Sequence, residues 1–480
     1  MFKYIPYNIL KYQLYIFQLE EYDIKIFIKA IFKKGFFANN NLRKDLVWTS
    51  KAKLLFSISL FLQLFISLTL SYLIKVYLLN MIAFIIFFVF IYYLSTIFSF
   101  IFLASSSKLI NPIETLIKNN IINNAKNKLK KFQKLKVIGI TGSYGKTTMK
   151  EVLFTILSEK YIVIKTEGNN NTPLGIAKTI ISNINEDTEI LIVEMGEYYV
   201  GDIKQLCSIT PPDISIITGI NEAHLEKYNS MDNAINTKFE IIEYSKKDAF
   251  YLLNSDDSLI MKNFERYSSK DKVNFYSSNI NNSNIKNYIF YQDGSGQSFD
   301  MDNIGKIKVT FLAEYIIGYI SASSIVAYHL GMKSTEIRFA ISKLKEVNHR
   351  LQPRLNSNNI LIIDDTYNGN STGIEEGIKL LGKFKNRRKI YMTPGLVETG
   401  SLVKKIHYAI GKSLSKTADK VILIKNGVTN YIFQGLVDNK FNEDNIIWFD
   451  NSKEALNKLF SYLQPNDVVL MQNDWTDNYV

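Results

Sequence analysis

The 480-residue chain has a single cysteine, Cys207, so it can form no internal disulfide and no cysteine-based zinc site. A reducing, cytoplasmic setting for the catalytic part fits that lack. Blocks of like charge are also missing. The formal net charge of +12 would suit nucleic acid, an anionic membrane or a nucleotide, yet the lysines are scattered, so charge alone selects none of them. A signal peptide is not expected, because polar and amphipathic residues precede the first long apolar run. The length suits two or three domains, each with its own core.

Two stretches, 54–74 and 81–104, contain no charged residue and show no polar face. Each is long enough to cross a hydrocarbon core of about 30 Å as a helix, and together they read as a transmembrane hairpin. The alternative is a pair of helices buried in a large soluble core. Lys33, Lys34, Arg43, Lys44, Lys51 and Lys53 precede the first stretch, and Lys108, Lys118, Lys126, Lys128, Lys130 and Lys131 follow the second. The positive-inside rule then predicts a cell-membrane protein with two spans and cytoplasmic catalytic domains. Residues 1–50 mix Tyr12, Tyr15 and Phe17 with Glu20 and Glu21, which predicts an amphipathic helix at the membrane surface or against the soluble part. Residues 1–134 form this membrane unit, ending in a basic linker.

From residue 135 the pattern changes to short apolar runs alternating with helical segments: 137–140, 161–165, 190–194 and 214–218. Such alternation predicts a parallel α/β sheet with ligands at the carboxyl ends of the strands. After the first run comes Thr141-Gly142-Ser143-Tyr144-Gly145-Lys146-Thr147-Thr148, followed by a helix-like stretch. Strand, glycine turn, lysine, hydroxyl and helix stand in the order that polyphosphate binding requires: backbone N–H groups and the helix dipole for the oxygens, Lys146 for the outer phosphates, Thr147 for magnesium. Only two residues separate Gly142 from Gly145, so the loop is a compact variant. After the second run, 166–175 clusters amides and glycines, among them Asn169, Asn171 and Thr172, suited to a polar substrate. Glu194 ends the third run and His224 follows the fourth, which predicts one carboxylate and one imidazole near the phosphate loop where magnesium could sit.

A second set of strands, 360–363, 389–393, 421–425 and 467–471, predicts another α/β domain. The first ends in Asp364-Asp365-Thr366-Tyr367-Asn368-Gly369-Asn370, and the second leads to Pro394-Gly395-Leu396-Val397-Glu398, with His407 beyond.

These motifs resemble the Mur ligase family of ATP-dependent amide ligases. Its Thr-Gly-Ser-x-Gly-Lys-Thr-Thr loop matches 141–148, its Gly-Asn-x-Asn resembles 168–171, its Glu-x-Gly matches 194–196 and its Ala-His-Leu-Glu matches 223–226. The family lysine that becomes carbamylated beside a second magnesium falls on Lys238. Its Asp-Asp-Ser-Tyr-Asn-Ala-Asn-Pro corresponds to 364–371, which implies that Asp365, Tyr367, Asn368 and Asn370 lie near nucleotide or substrate. Arg350 resembles the arginine that reaches ATP phosphates across the domain cleft, and Glu398 and His407 match a glutamate and a following histidine. The chain departs from the pattern in five places, one of them at 472–475, where Gln472-Asn473-Asp474-Trp475 stands instead of a Lys-Gly-Ser. Gly219 replaces an asparagine, Ala313–Tyr319 an asparagine-rich adenine segment, and Ser371 the proline, while the uridine-nucleotide domain gives way to the membrane unit.

The expected fold is therefore α/β: a P-loop-type central ATPase domain at 135–344 and a Rossmann-like domain at 345–480, after a two-helix transmembrane unit. The resemblance implies an ATP- and Mg2+-dependent ligase, with two ions and a carbamylated Lys238. It would act on a cell-wall precursor peptide and D-alanyl-D-alanine or another amino acid or dipeptide. Wall-synthesis proteins are further expected partners, and nucleic acid is not one. Two alternatives remain open at this point: a ligase acting on a different membrane-bound acid, and a non-catalytic nucleotide-binding scaffold.

Overall fold

The computed structural model describes residues 5–37, 46–78, 81–168, 170–197, 199–222, 228, 230–281, 284–367, 369–396 and 402–473. The chain divides into two compact units between Asn120 and Ile121.

The first unit is helical: Pro6–Leu19, Ile24–Lys34, Ser50–Leu78, Met81–Ile97 and the opening turns of Ser99–Leu129. Asp23 caps the second helix by accepting from Ile26 N at 2.9 Å. The N-terminal segment does not lie free as an amphipathic surface helix. Leu10, Leu14, Ile16 and Phe17 are buried with Phe27 and Ile31 in a core shared with Leu55 and Leu103 of the long helices.

Only Ser50–Leu78 is, among the described residues, long and apolar enough to cross a membrane by itself. The predicted second span is not one helix. Met81–Ile97 and Ser99–Leu129 meet at a bend of 72°, and the 17 residues of the former extend roughly 25 Å, short of a hydrocarbon core. Gln13 explains how the break is tolerated: its Nε2 donates to the carbonyl of Ile97 at 2.8 Å, supplying a bond the interrupted helix cannot.

The expectation of no polar face is also overturned. Ser59, Gln63, Ser67 and Ser71 recur every fourth residue and expose no surface. Ser59 meets Ser106 at 3.0 Å, Gln63 donates to Ser99 at 3.1 Å, and Ser67 donates to Gln63 O at 2.7 Å. The opposite faces stay apolar, with Phe61, Phe65, Leu68, Leu73, Ile85 and Phe90 exposed.

Among the described residues the second unit holds three sheets. In the first, β1 (Lys136–Thr141), β2 (Val163–Lys165), β3 (Ile190–Glu194), β4 (Ile214–Ile217), β5 (Phe250–Asn254) and β6 (Val273–Tyr276) run parallel in the order β2-β3-β1-β4-β5-β6. Both faces are covered: Ile138 and Ile140 of β1 join one apolar core and Val137 the other, the two-residue period of a doubly buried strand. The second sheet is an antiparallel meander of β7 (Ile285–Phe290), β8 (Gln297–Met301) and β9 (Gly305–Val309).

In the third, β10 (Gln352–Leu355), β11 (Leu361–Asp365), β12 (Lys389–Thr393), β13 (Lys420–Ile424), β14 (Ile446–Phe449) and β15 (Val468–Gln472) take the order β10-β11-β15-β12-β13-β14. β10 is antiparallel to β11 and the other pairs are parallel. Both large sheets put the loops after their central strands at one edge, where a parallel sheet holds its ligands.

Candidate active site

β1 delivers the chain to the phosphate loop, and the helix Lys146–Leu157 leaves it. Gly142 (φ 143°) and Gly145 (φ 78°) adopt backbone that side chains disfavour. Contacts fix them too, since a Cβ on Gly142 would fall on Thr218 Oγ1 and one on Gly145 on the Tyr319 hydroxyl. Ser143 N donates to Gly219 O at 2.8 Å, and Ser143 Oγ accepts from Asn221 N at 3.2 Å. Lys146 Nζ folds back to donate to Gly142 O. Thr147 is half-buried and Thr148 buried.

Tyr144, at the loop's variable position, donates its hydroxyl to Asp257 at 2.9 Å, and Asp257 also accepts from the N–H groups of Ile220, Leu259 and Ile260. Its ring lies where a Cβ on Gly219 would stand. The glycine in place of the family's asparagine thus makes room for Tyr144.

Two buried carboxylate–lysine pairs flank the loop. Glu194 ends β3 opposite Ile140 of β1 and is 2% exposed. Lys150 Nζ lies 3.0 Å from its Oε2 and also donates to Gly168 O at 2.6 Å, while Asn171 Nδ2 donates to its Oε1 at 3.3 Å. Lys238 meets Glu197 instead, at 3.1 Å, and stands 4.5 Å over the ring of Tyr228, whose hydroxyl is 3.2 Å away. Thr141 Oγ1 donates to Glu197 Oε2 at 3.2 Å. Burial holds the Lys238 ammonium below its ordinary range; Glu197 opposes that shift and Lys146 adds to it.

Sequence reasoning named Glu194, Asn171 and Lys238 but missed Lys150, Glu197 and Tyr228. A signal for two of them was present. Lys150 follows Lys146 by one helical turn, and Glu197 follows Glu194 past the same strand end. Asn169, His224, Asn368 and Glu398 lie outside the described residues, so the expected joining of His224 to Glu194 falls there as well. Thr172 acts locally, its hydroxyl accepting from Gly175 N at 3.2 Å to cap the helix Pro173–Asn183.

The third sheet brings its own residues to the same place. Arg350 lies 4.5 Å over the ring of Tyr367, between His349 and Leu351, both at positive φ. Asp365 accepts from Gln472 Nε2 at 2.8 Å and Leu351 N at 3.2 Å, and burial pushes its carboxyl up to about 6. Asn370 caps the helix Ser371–Gly382 by accepting from Gly373 N at 2.9 Å.

That helix is tied to the first sheet's loops. Asn221 Nδ2 donates to Asn370 at 3.3 Å and Thr372 at 3.0 Å, and Ser371, standing in place of the family's proline, donates to Glu222. At its other end Lys379 lies 3.0 Å from Glu314, which Lys383 also contacts. His407 is structural: it is fully buried, its Nε2 accepts from Leu396 N at 2.9 Å, and so Nδ1 carries the proton that reaches Val403 O at 2.6 Å.

Among the described residues no three His, Cys, Asp or Glu side chains cluster as a ready metal cage. The oxygens of Thr147, Glu194 and Glu197 are nevertheless the hard donors that magnesium prefers.

Residues 140–327 match the Mur ligase middle domain and residues 349–472 the Mur ligase glutamate ligase domain. The UDP-N-acetylmuramoyl-tripeptide–D-alanyl-D-alanine ligase of Bacillus subtilis is 26% identical over 70% of this chain and 72% of its own length. The Borreliella burgdorferi protein of that name is 30% identical, over 60% of this chain and 62% of its own. Among solved structures, the MurF ligase of Thermotoga maritima in complex with ADP is 28% identical and shares the fold with a TM-score of 0.65, over 75% of this chain and 81% of that one. With the family's two domains in series and its phosphate loop seated between them, the chain belongs to the Mur ligase family.

Proposed function

We propose that the chain is an ATP-dependent ligase that joins D-alanyl-D-alanine, or a similar amino acid or dipeptide, to the peptide of a peptidoglycan precursor. The observation that carries this reading is the Gly142–Thr148 loop set between two buried carboxylate–lysine pairs, with Arg350 held over Tyr367 on the adjoining sheet's loop. The γ-phosphoryl group of ATP passes to the acceptor carboxylate, giving an acyl phosphate and ADP; the incoming amine attacks the acyl carbon, phosphate leaves, and the amine's proton is lost. Bringing two anions together is the obstacle, and Lys146 and Arg350 supply fixed positive charge against it. Thr147, Glu194 and Glu197 would hold magnesium, which when bound offsets phosphate charge.

Lys238 is suited to the carbamylation that the family resemblance implies, because an amine attacks carbon dioxide only when neutral and burial favours that form. Asn370 and Asn221, joined across the two domains, stand where a closed cleft would exclude water from the acyl phosphate. Asn169, Asn171, Thr172, Asn370 and Glu398 are assigned to substrate, and Asp365, Tyr367 and Asn368 to the nucleotide side. The catalytic domains are assigned to 135–344 and 345–480.

The first unit supports action at the cytoplasmic face of a membrane. Ser50–Leu78 serves as one span, and the bent pair Met81–Ile97 and Ser99–Leu129 returns the chain so that both basic flanks share one side. Its exposed apolar faces favour a second reading of the acceptor, as a lipid-linked rather than a nucleotide-linked peptide.

The test is phosphate release by the full chain with ATP, D-alanyl-D-alanine and either acceptor. Release dependent on one acceptor and lost in Lys146→Ala supports the ligase and names its substrate. A chain that neither binds nor hydrolyses ATP with any acceptor is not this enzyme.

A further inference from the structure

Tyr319 lies on the helix Tyr315–His329, which packs against the helix leaving the phosphate loop. It is 4% exposed, its ring held 5.4 Å from that of Tyr315. No hydrogen bond to its hydroxyl is present among the described residues, and the oxygen, unlike the ring, is not fully enclosed, so it is open to an added acceptor. That hydroxyl abuts Gly145, the residue immediately before Lys146, closely enough to exclude any Cβ there.

The neighbouring tyrosines have different fates. Tyr144 is satisfied by Asp257. The Tyr276 hydroxyl is also unpartnered, but it is wholly enclosed. Tyr319 alone of the three reaches the loop's glycine without a partner. Burial raises its hydroxyl above the ordinary range and the Arg350 guanidinium draws it back, so it is a neutral donor close to a second phosphate-seeking group.

We propose that the Tyr319 hydroxyl donates a hydrogen bond to a phosphate oxygen of the nucleotide held by Gly142–Thr148, and is a binding residue of that site. The inference rests on the ATP reading above. It supplies a partner to the unpaired hydroxyl of a buried ring, and it gives Gly145 a purpose beyond its own backbone: a side chain there would displace the donor.

The experiment is calorimetric binding of ADP and of inorganic tripolyphosphate to the full chain and to Tyr319→Phe, with thermal melting of both. A hydrogen bond to a charged oxygen predicts about tenfold weaker binding of both ligands by the variant. Its melting temperature should be unchanged or higher, because the lost hydroxyl had no partner in the free protein. Equal binding by variant and wild type overturns the proposal. Weakening for ADP but not tripolyphosphate also overturns it, placing the contact on the ribose or base. Wild-type chain that binds neither ligand removes the ATP reading itself, whereas a variant that melts far lower shows Tyr319 to be a packing residue and overturns the binding role.

Discussion

Glu197 and Lys238 face each other at 3.1 Å with side chains 3% and 1% exposed. The pair joins a strand-end loop to the helix Met231–Glu243. Removing either partner strands the other charge out of water, which costs on the order of 3–5 kcal/mol, whereas removing both does not. Lys238→Met and Glu197→Gln should each lower the denaturation midpoint substantially, and the double variant should lose clearly less than their sum. Additive losses would show that the two side chains do not interact.

Asp365 makes stability depend on pH. Its carboxyl, ordinarily at 3.8, is pushed up to about 6 by burial, against the hydrogen bond from Gln472 and the charge of Arg350. The folded chain therefore holds a proton between those values that the unfolded chain has released. The stabilisation is complete below about pH 4 and is lost as pH rises through about 6. Asp365→Asn removes that slope. The variant should exceed the wild type by up to about 3 kcal/mol above pH 7 and match it near pH 4, as measured by urea unfolding across pH. Parallel curves for the two proteins would contradict the shift.

Tyr144 and Gly219 compete for one space. Restoring the family's asparagine with Gly219→Asn should cost about 1–3 kcal/mol through overpacking. Tyr144→Ala in the same chain should return most of that. Melting temperatures of the two single variants and the double decide it, and a Gly219→Asn chain as stable as wild type refutes the clash.

Ser371 replaces a proline and bonds Glu222 across the two catalytic domains. Ser371→Pro removes that donor while leaving a residue tolerated at the start of a helix. Tryptic cleavage after Lys345 or Arg350, in the segment joining the domains, should quicken several-fold, with global stability changed by about 1 kcal/mol. An unchanged cleavage rate would mean that the contact does not hold the domains together.

The parts of this protein fixed by local pattern were legible in its sequence. β1, β3, β11 and β12 lie within a residue or two of their apolar runs, and the loop at Gly142 announces itself by composition. Relationships between distant residues were not. The bend after Ile97 is stabilised from Gln13, far away in the chain, and no periodicity of 81–104 could reveal it. Lys150 reads as an ordinary helix lysine until the fold sets Glu194 against it. The stripe Ser59, Gln63, Ser67 and Ser71 was visible, but absence of charge masked its four-residue spacing. His407 looked chemical and is clamped by two backbone groups.

The helix Ser371–Gly382 is fastened at both ends to the central domain, by hydroxyl and amide bonds at its start and by Glu314 with Lys379 and Lys383 at its finish. The two clasps differ in chemistry. Dissolved salt weakens the more exposed Lys379–Glu314 pair most and leaves the amide bonds from Asn221 to Asn370 and Thr372 largely untouched. As ionic strength rises, the hold of this helix on the central domain therefore rests more on its first turn.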